Sequence, residues 1–423
     1  MRYSGELSKM LGSAGAKEGS VISLTADGKE YEGVLMPSSG NPDVIVIKMR
    51  NGYNAGFRTD KGTKIKVLEQ PSASVRKNGD RRPKKGLPNI TLIATGGTIG
   101  SHGGTSSGAS AERLLDMMPE LSDIANIKAV DAASVFSENM DAGHWQAIAK
   151  AAEEELNGGA EGIVITHGTD TMGFTAAALS FMMRELSGPV VITGSQRSPD
   201  RPSSDAYGNL LASVRFCVSP KASGVCVVMH DTMNDDSFAV HRGTRARKMH
   251  TSRRDAFKSV NTVPIAHIDA VGNMIFNDEM PKRSKVTRAE TKMCGDVVLL
   301  HFYPGMGPAL FRDAVLGSKG VVIAGSGLGH VSDAMAALLK EAADKGTVIV
   351  MTSQCINGPT GMDVYDTGRE LQRIGVIPAG DMLPETAYVK LMWALANTKD
   401  AKGTMKKALS YETGDRRTTD VVW

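Results

Sequence analysis

Cysteine, long apolar runs and an excess of one charge are all scarce in this sequence, and each shortage argues against a class of protein. The four cysteines among the 423 residues lie far apart without a C-x-x-C pair, which argues against zinc ribbons and a disulfide framework. The 49 basic and 46 acidic residues leave a net charge of +3, which gives no general attraction to nucleic acid or membranes. This cysteine usage suits a reducing compartment, and we predict a cytoplasmic location.

The lack of long apolar runs bears on membrane association. No segment approaches the about 18 uninterrupted apolar residues that a membrane-spanning helix needs, and the N-terminal stretch MRYSGELSKMLGSAG has no long apolar centre. The sequence therefore predicts neither a membrane span nor a secretory leader. With 41% hydrophobic residues, a chain of this length can still bury large cores, which favours two or three domains.

The segment from Gly19 to Gln70 alternates short apolar runs, such as VISL and VIVIKM, with turn sequences, and it lacks helical periodicity. Asn51-Gly52 is a strong hairpin signal. Four or five strands this short predict a small β-barrel domain, to which we assign residues 1–75. The next stretch, residues 76–88, is basic and rich in proline and glycine, and it is predicted to be a linker.

From Ile90 onward, apolar strands alternate with helical patterns such as HWQAIAKAAEEEL and TAYVKLMWALANT. The strands read as near-continuous β-branched runs, typical of a parallel sheet buried on both faces: ITLIAT, GIVIT, PVVITG, GVCVVMHD, DVVLLHF, GVVIAGSG and TVIVMT. The sequence thus predicts an α/β body with a doubly wound parallel sheet at residues 89–280 and a smaller α/β domain at residues 281–423. Residues 262–295, polar and broken by prolines, are expected to be a crossover between the two.

Two loops that leave strands of the predicted sheet are alike. ATGGTIG follows the first strand and THGTDTM follows a later one, so that each delivers a threonine after glycine, Thr98 and Thr169. In an open parallel sheet, ligands bind at the carboxyl ends of the strands. Glycine there permits a sharp turn and a close approach of the ligand to backbone N–H groups, which can stabilise a developing oxyanion.

Other common motifs are missing. The first loop lacks the lysine of a phosphate-binding loop, and neither it nor GSGLGH has the G-x-G-x-x-G spacing of a dinucleotide site. No H-E-x-x-H or EF-hand pattern occurs, and the G-x-S-x-G spacing appears only at residues 104–108, inside a glycine- and serine-rich stretch and not directly after a predicted strand, so serine hydrolase, zinc protease and calcium sites are not supported. We therefore predict no metal site in this chain.

The motifs LPNITLIATGGTIG and VITHGTDTM together resemble the two signatures of the type I asparaginase and glutaminase family. Further matches are SENM, DAYGNL and KMHTSRRDAFKSVN, in which a lysine stands nine residues before FKSVN as it does in that family. The resemblance covers the chain from Leu87 onward. It implies hydrolysis of a side-chain amide through an acyl-enzyme, which needs a nucleophilic hydroxyl, a proton relay and an oxyanion site.

The resemblance also implies roles for individual residues. Thr98 is expected to be the nucleophile, and Thr169, Asp170 and Lys248 are expected to move or steady protons near the amide. Taken alone, Lys248 would read as a surface lysine, because it stands among several arginines. Apart from the resemblance, the residues do not rank Thr98 above Thr169 as the nucleophile, since both hydroxyls could form an ester.

Recognition of the amino-acid substrate follows from its two charges. Asp170 and Glu138 could bind its ammonium group, and the Ser137 hydroxyl with backbone N–H groups could bind its carboxylate. By resemblance, Gly97 and Gly168 belong to the substrate-binding loops. A single methylene separates asparagine from glutamine, a difference worth only about 1–3 kcal/mol to a pocket, so the preferred donor stays open.

One feature departs from the family. Its members usually carry a tyrosine in the loop after the first motif, where it contacts the nucleophile, but residues 101–115, SHGGTSSGASAERLL, contain none. Either another residue replaces that tyrosine or the site closes differently. A loop so rich in glycine and serine is expected to move, and lids that close over a substrate commonly gate turnover.

Residues 1–86 precede the family's first motif, and the combination of small β domain, basic linker and asparaginase-like body resembles the D-subunit family of archaeal glutamyl-tRNA(Gln) amidotransferases. In that family the D subunit releases ammonia from glutamine or asparagine, and a separate E subunit activates Glu-tRNA(Gln) with ATP and Mg²⁺. The resemblance implies an E-subunit partner, tRNA contact mainly through that partner, no cofactor in this chain and a homodimeric core.

Two alternatives stay open. The first is a free-standing cytoplasmic L-asparaginase with an accessory domain, which shares the reaction without the tRNA pathway. The second is an RNA-binding module without a catalytic role, in which the basic runs RRPKK and HRGTRARKMHTSRR contact phosphates. Aromatic residues that could stack on bases make up only 5% of the chain, which weakens the second alternative.

Overall fold

The computed structural model describes residues 3–36, 41–49, 53–60, 62–70, 83–97, 99, 110–199 and 201–413. Thr98, the Asn51-Gly52 turn, most of the linker and residues 101–109 of the predicted lid lie outside this part of the chain. In the described ranges no helix combines the length and the apolar character that crossing a bilayer requires.

Residues 3–70 form what we refer to as the N-terminal β domain. Its five strands make one antiparallel sheet in the order β4-β3-β2-β1-β5. A helix that the sequence patterns did not predict packs on this sheet through Leu7 and Leu11, and Ser4 caps its first turn. The elements are α1 (Gly5–Ser13), β1 (Val21–Ala26), β2 (Lys29–Leu35), β3 (Val44–Lys48), β4 (Asn54–Arg58) and β5 (Lys64–Glu69).

The body begins with an eight-stranded sheet in the order β15-β14-β11-β10-β9-β8-β6-β7. Its strands from β10 to β7 are parallel, as predicted, whereas β11, β14 and β15 join antiparallel at one edge. The elements are β6 (Asn89–Gly96), α2 (Ala111–Met117), β7 (Asn126–Val135), α3 (Ala142–Asn157), β8 (Gly162–Thr166), α4 (Met172–Met182), β9 (Val190–Thr193), α5 (Ala206–Cys217), β10 (Val225–His230), β11 (Ser237–Arg242), β12 (Ala246–Lys248), β13 (Phe257–Ser259), β14 (Ala266–Asp269) and β15 (Met274–Phe276).

We expected residues 262–295 only to connect the two domains, and this expectation was wrong for the first part of the range. Strands β14 and β15 lie within this range and extend the large sheet, and the connection proper follows Phe276. The strands are short and only partly buried, which explains why they lack the continuous apolar run that marks β8 or β9.

The C-terminal part holds a four-stranded parallel sheet in the order β16-β17-β18-β19, so the fold is the predicted α/β architecture. Its last long helix, α9, packs on α4 of the large domain, and Phe181 and Trp393 belong to the same buried cluster. The elements are β16 (Val297–His301), α6 (Pro308–Leu316), β17 (Gly320–Gly325), α7 (Asp333–Asp344), β18 (Val348–Ser353), α8 (Asp366–Arg373), β19 (Ile377–Pro378), α9 (Pro384–Asn397) and α10 (Ala401–Met405).

The sheet order places the two threonine loops side by side. Strands β6 and β8 are parallel neighbours, paired from Ile90 with Gly162 to Ala94 with Thr166. Their carboxyl ends therefore lie together at one edge of the sheet. Strands β12 and β13 form a separate two-stranded hairpin, and Lys248 is the last residue of its first strand.

Candidate active site

The two glycine loops touch each other at the carboxyl ends of β6 and β8. Gly97 has a φ of +82°, and a Cβ atom added to it would lie 2.5 Å from the backbone nitrogen of Gly168. Only glycine permits both this backbone conformation and this approach. Thr98 lies outside the described residues, between Gly97 and the fully buried Ile99. The loop contact fits a shared cleft, and the role of Thr98 stays a prediction.

Lys248 reaches from the hairpin into this region and contacts two of the predicted relay groups. Its Nζ atom donates a hydrogen bond to Thr169 Oγ1 and another to Asp170 Oδ1, each with a length of 2.8 Å. The Lys248 side chain is 14% exposed, so water screens these contacts only in part. The hydrogen bond from Lys248 holds the pKa of the Asp170 carboxyl below its ordinary value, so this carboxyl is ionised at neutral pH.

Ser137 completes the cluster from a 3₁₀ turn, Ser137–Asn139, that packs against the second threonine loop. Its hydroxyl donates to Asp170 Oδ2 over 3.2 Å, and the Thr171 hydroxyl donates to its carbonyl oxygen over 2.6 Å. A Cβ atom on Gly168 would lie 2.6 Å from Ser137 Cβ, so glycine is required here as well. Glu138 is exposed on the same turn, and its role in binding substrate stays a prediction.

His167 holds the second threonine loop in place through hydrogen bonds of its ring. The sequence motifs did not identify it as a site residue. The ring is fully buried, and burial lowers its pKa to about 4, so it is neutral at physiological pH. Nδ1 lies 2.6 Å from the Gly168 carbonyl oxygen, and Nε2 lies 2.9 Å from Thr175 Oγ1. Since a carbonyl only accepts, Nδ1 carries the proton, and Nε2 accepts from Thr175, which in turn accepts from Trp145 Nε1. This chain fixes the peptide that leads into Thr169.

The DAYGNL motif holds the next loop, which follows β9. Asp205 is fully buried and accepts hydrogen bonds from the backbone nitrogens of Gln196 and Arg197. Burial raises the pKa of Asp205, and this effect is larger than the lowering of the pKa by these hydrogen bonds. Asn209 Nδ2 donates to the Gly194 carbonyl oxygen over 2.9 Å. The motif therefore shapes the backbone beside the site, a role that its sequence alone does not reveal.

The assembled groups suit acyl transfer. A lysine ammonium between a hydroxyl and a carboxylate can exchange protons with a reacting amide. Across the described ranges, no group of three or more His, Cys, Asp and Glu side chains is arranged to hold a metal ion. In the observed geometry, Lys248 is in hydrogen-bond contact with both Thr169 and Asp170, and their roles as a proton relay stay a prediction.

Three protein-family models match consecutive parts of the chain. The GatD N-terminal domain matches residues 16–68, the N-terminal domain of asparaginase matches residues 89–281, and the glutaminase/asparaginase C-terminal domain matches residues 296–407. The glycine loops, Ser137 and Lys248 all fall within the second match.

Similar proteins cover almost the whole chain. The D subunit of the glutamyl-tRNA(Gln) amidotransferase of Pyrococcus furiosus is 47% identical over 398 residues, which are 91% of this chain and 91% of that protein. The D subunit of the same enzyme from Methanosarcina acetivorans is 43% identical over 419 residues, which are 94% of this chain and 98% of that protein.

Solved structures share the fold of the body. The thermostable L-asparaginase of Thermococcus kodakarensis is matched with a TM-score of 0.69 at 30% identity, over 77% of this chain and 99% of that one. The probable cytoplasmic L-asparaginase of Campylobacter jejuni is matched with a TM-score of 0.66 at 29% identity, over 77% of this chain and 100% of that one.

Proposed function

This chain belongs to the D-subunit family of glutamyl-tRNA(Gln) amidotransferases, and we propose on that basis that it releases ammonia by hydrolysing the side-chain amide of glutamine or asparagine. The observation that carries the proposal is the position of Lys248 Nζ, 2.8 Å from both Thr169 Oγ1 and Asp170 Oδ1. The reaction is the amide-hydrolysing half of the conversion of Glu-tRNA(Gln) to Gln-tRNA(Gln).

In the proposed mechanism, the Thr98 hydroxyl attacks the amide carbon of the donor. Lys248, acting through the Thr169 hydroxyl, gives a proton to the departing nitrogen, and the proton of the Thr98 hydroxyl replaces it. Ammonia leaves, and water then hydrolyses the ester to free the acid product and the hydroxyl. Asp170 keeps the lysine charged and oriented between these steps.

The substrate is held by its charged ends. Asp170 and Glu138 bind its ammonium group, while the Ser137 hydroxyl and the N–H groups of the glycine loops bind its carboxylate. Gly97 and Gly168 let the substrate approach the backbone. Because Ser137 donates to Asp170 in the structure, binding of the substrate carboxylate requires this hydroxyl to turn toward it.

The released ammonia is consumed by an E subunit, which activates Glu-tRNA(Gln) with ATP and Mg²⁺. This chain needs no cofactor for its own half-reaction, works in the cytoplasm and forms a homodimeric core to which the E subunit binds. Since unused ammonia wastes the amide donor, the site works at full rate only when the partner and its tRNA are engaged.

The test is an ammonia-release assay with glutamine and with asparagine on the purified chain. It is run alone, with the E subunit, and with the E subunit plus Glu-tRNA(Gln). We expect slow release from the chain alone and strong stimulation by the complete mixture. Uncharged tRNA is the matched control, because it supplies the same phosphates without the glutamyl ester.

Two results contradict the proposal. Full-rate hydrolysis by the chain alone, with no response to partner and tRNA, identifies a free-standing asparaginase. Absence of amide hydrolysis in every mixture removes the enzymatic function altogether.

A further inference from the structure

The position of Lys248 depends on a short hairpin. Strands β12 and β13 have three residues each, and Lys248 is the last residue of β12, paired with Phe257. A two-stranded ladder of this length is marginal by itself. Contacts of the connecting segment, residues 249–256, therefore help to fix where the lysine ammonium lies, beside the packing of Ala246 and Phe257 in the core.

Arg254 anchors this connecting segment to the rest of the body. Its side chain is only 6% exposed, and its guanidinium donates to Asp235 Oδ1 over 2.7 Å and to the Met233 carbonyl oxygen over 3.4 Å. The neighbouring Arg253 differs, because it is half exposed and pairs with Asp255 inside the same segment. Arg254 thus joins the hairpin loop to the loop that follows β10, and Arg253 does not.

The acceptor of Arg254 belongs to a chain of hydrogen bonds that reaches the back of Thr169. Asp235 Oδ1 also lies 3.2 Å from Nε2 of the buried His230, whose Nδ1 lies 2.6 Å from Asn209 Oδ1. Asn209 Nδ2 donates to the Gly194 carbonyl oxygen. A Cβ atom on Gly194 would lie 3.1 Å from Thr169 Cγ2. The network therefore runs from the segment that follows Lys248 to the backbone next to the methyl group of Thr169.

The N-terminal β domain contacts this anchor directly. The Arg254 guanidinium carbon lies 5.8 Å from the centre of the Tyr53 ring, within the range of a cation–π interaction. The Tyr53 hydroxyl lies 2.5 Å from Ser203 Oγ, and the Ser203 backbone nitrogen donates to the Asn54 carbonyl oxygen over 2.8 Å. Asn54 Nδ2 donates to the Pro199 carbonyl oxygen over 2.5 Å. The Arg254 guanidinium thus contacts both the N-terminal β domain, through Tyr53, and Asp235.

We propose that Arg254 is a positioning residue for amide hydrolysis. Held between Tyr53 and Asp235, it keeps the Lys248 ammonium within reach of Thr169 and Asp170. Docking of the N-terminal β domain is thereby coupled to the proton relay. This proposal rests on the proposed function for its kinetic consequence, but its structural part can be measured without turnover.

The kinetic test compares two neighbouring arginines in the full chain with its E subunit and Glu-tRNA(Gln). We expect Arg254→Gln to lower kcat about tenfold or more with KM within about threefold, because a misplaced catalytic group costs rate rather than ground-state binding. Arg253→Gln, which makes the same charge change one residue earlier, should leave both constants unchanged. Arg254→Lys, which can keep the ion pair with Asp235, should restore most of kcat.

A second arm tests the link to the N-terminal β domain. Tyr53→Leu should lower kcat in the wild-type background but should cause no further loss in the Arg254→Gln background, because both changes release the same anchor. Independent, multiplicative losses overturn the coupling. Equal losses in Arg253→Gln and Arg254→Gln, or equal effects on kcat and KM, reduce Arg254 to a general structural residue and overturn the proposal.

Hydrogen exchange separates this proposal from the proposed function. The Met249 amide donates to the Ala256 carbonyl oxygen across the base of the connecting segment. Its exchange should become faster in Arg254→Gln and Tyr53→Leu and stay unchanged in Arg253→Gln, whether or not the protein hydrolyses amides. This exchange pattern in a protein without amide hydrolysis supports the anchor and rejects the function. Unchanged exchange in Arg254→Gln rejects the anchor even if ammonia is released.

Discussion

Lys390 of α9 and Glu412 near the end of the described chain form an ion pair of 2.7 Å in which neither side chain is exposed to solvent. The Lys390 ammonium also donates to the Lys407 carbonyl oxygen over 2.6 Å. The Glu412 carboxylate accepts from the backbone nitrogens of Leu409 and Ser410. The pair therefore fastens the segment after α10 to the helix that packs against α4.

Removing one partner of this pair should destabilise the protein strongly. Lys390→Met leaves the Glu412 carboxylate buried without its cation, which typically costs about 3–5 kcal/mol of unfolding free energy. Denaturant unfolding measures this loss. Lys319→Met, which removes an exposed pair with Asp296 of the same 2.7 Å length, should leave the unfolding free energy unchanged. Equal effects of the two substitutions would contradict the role of burial.

Two buried histidines should make the protein less stable in acid. Burial lowers the pKa of His167 to about 4 and that of His241 to about 3, below the ordinary value of about 6.5 in an unfolded chain. The folded state then binds fewer protons than the unfolded state, so this stability is full above pH 6.5 and is lost as the pH falls toward 4 and 3. Each histidine contributes on the order of 3 kcal/mol.

The measurement is the unfolding free energy as a function of pH. His241→Gln should flatten the curve between pH 6.5 and 3 relative to the wild-type protein. The same slope in His241→Gln and in the wild-type protein would mean that His241 is accessible to protons in the folded state.

Gly97→Ala should reduce amide hydrolysis by separating the two threonine loops. The added Cβ atom would lie 2.5 Å from the Gly168 nitrogen, so one loop must move, and displacements near 1 Å can cost about 100-fold in rate. Gly86→Ala is a matched control, because Gly86 also has a positive φ, +90°, but no atom within 4 Å of the added Cβ. Similar activity in both variants would show that the loop contact does not matter for catalysis.

Much of the fold could be predicted from the sequence because each fully buried strand corresponds to a continuous run of apolar residues. Every residue of β8, β9 and β17 is buried, and each of these strands is an apolar run in the sequence. Strand β7 was missed because it pairs only with β6 at the edge of the sheet, and none of its residues is fully buried. Such an edge strand needs no apolar run.

Only the site residues that lie inside the recognised sequence motifs could be predicted. Thr169, Asp170 and Lys248 lie in contact as the resemblance implied, although Lys248 follows Asp170 by 78 positions. The hydrogen bond of Trp145 to Thr175 and the Lys390–Glu412 pair have no local sequence pattern, since each joins residues that only the tertiary fold brings together. His167 lies inside the VITHGTDTM motif, but the sequence alone did not identify its support of the loop backbone.

Lys248→Met should abolish most of the amide hydrolysis while the protein stays folded. Loss of a positioned proton donor typically lowers kcat about 10²–10⁴-fold. Lys319→Met is the control, because it removes the same charge from an exposed side chain that pairs with Asp296 in the C-terminal part of the chain. Steady-state ammonia release by the complete complex gives both values. Full activity of Lys248→Met would remove the lysine from the mechanism.

Peptide mass mapping after inactivation by a diazo analogue of glutamine shows whether an acyl-enzyme forms, because a covalent intermediate requires a hydroxyl that becomes labelled. We predict a mass increase on the peptide that contains Thr98, loss of that label in Thr98→Ala and a strong reduction in Lys248→Met. A label on neither Thr98 nor Thr169, in a complex that still releases ammonia, would contradict the covalent mechanism.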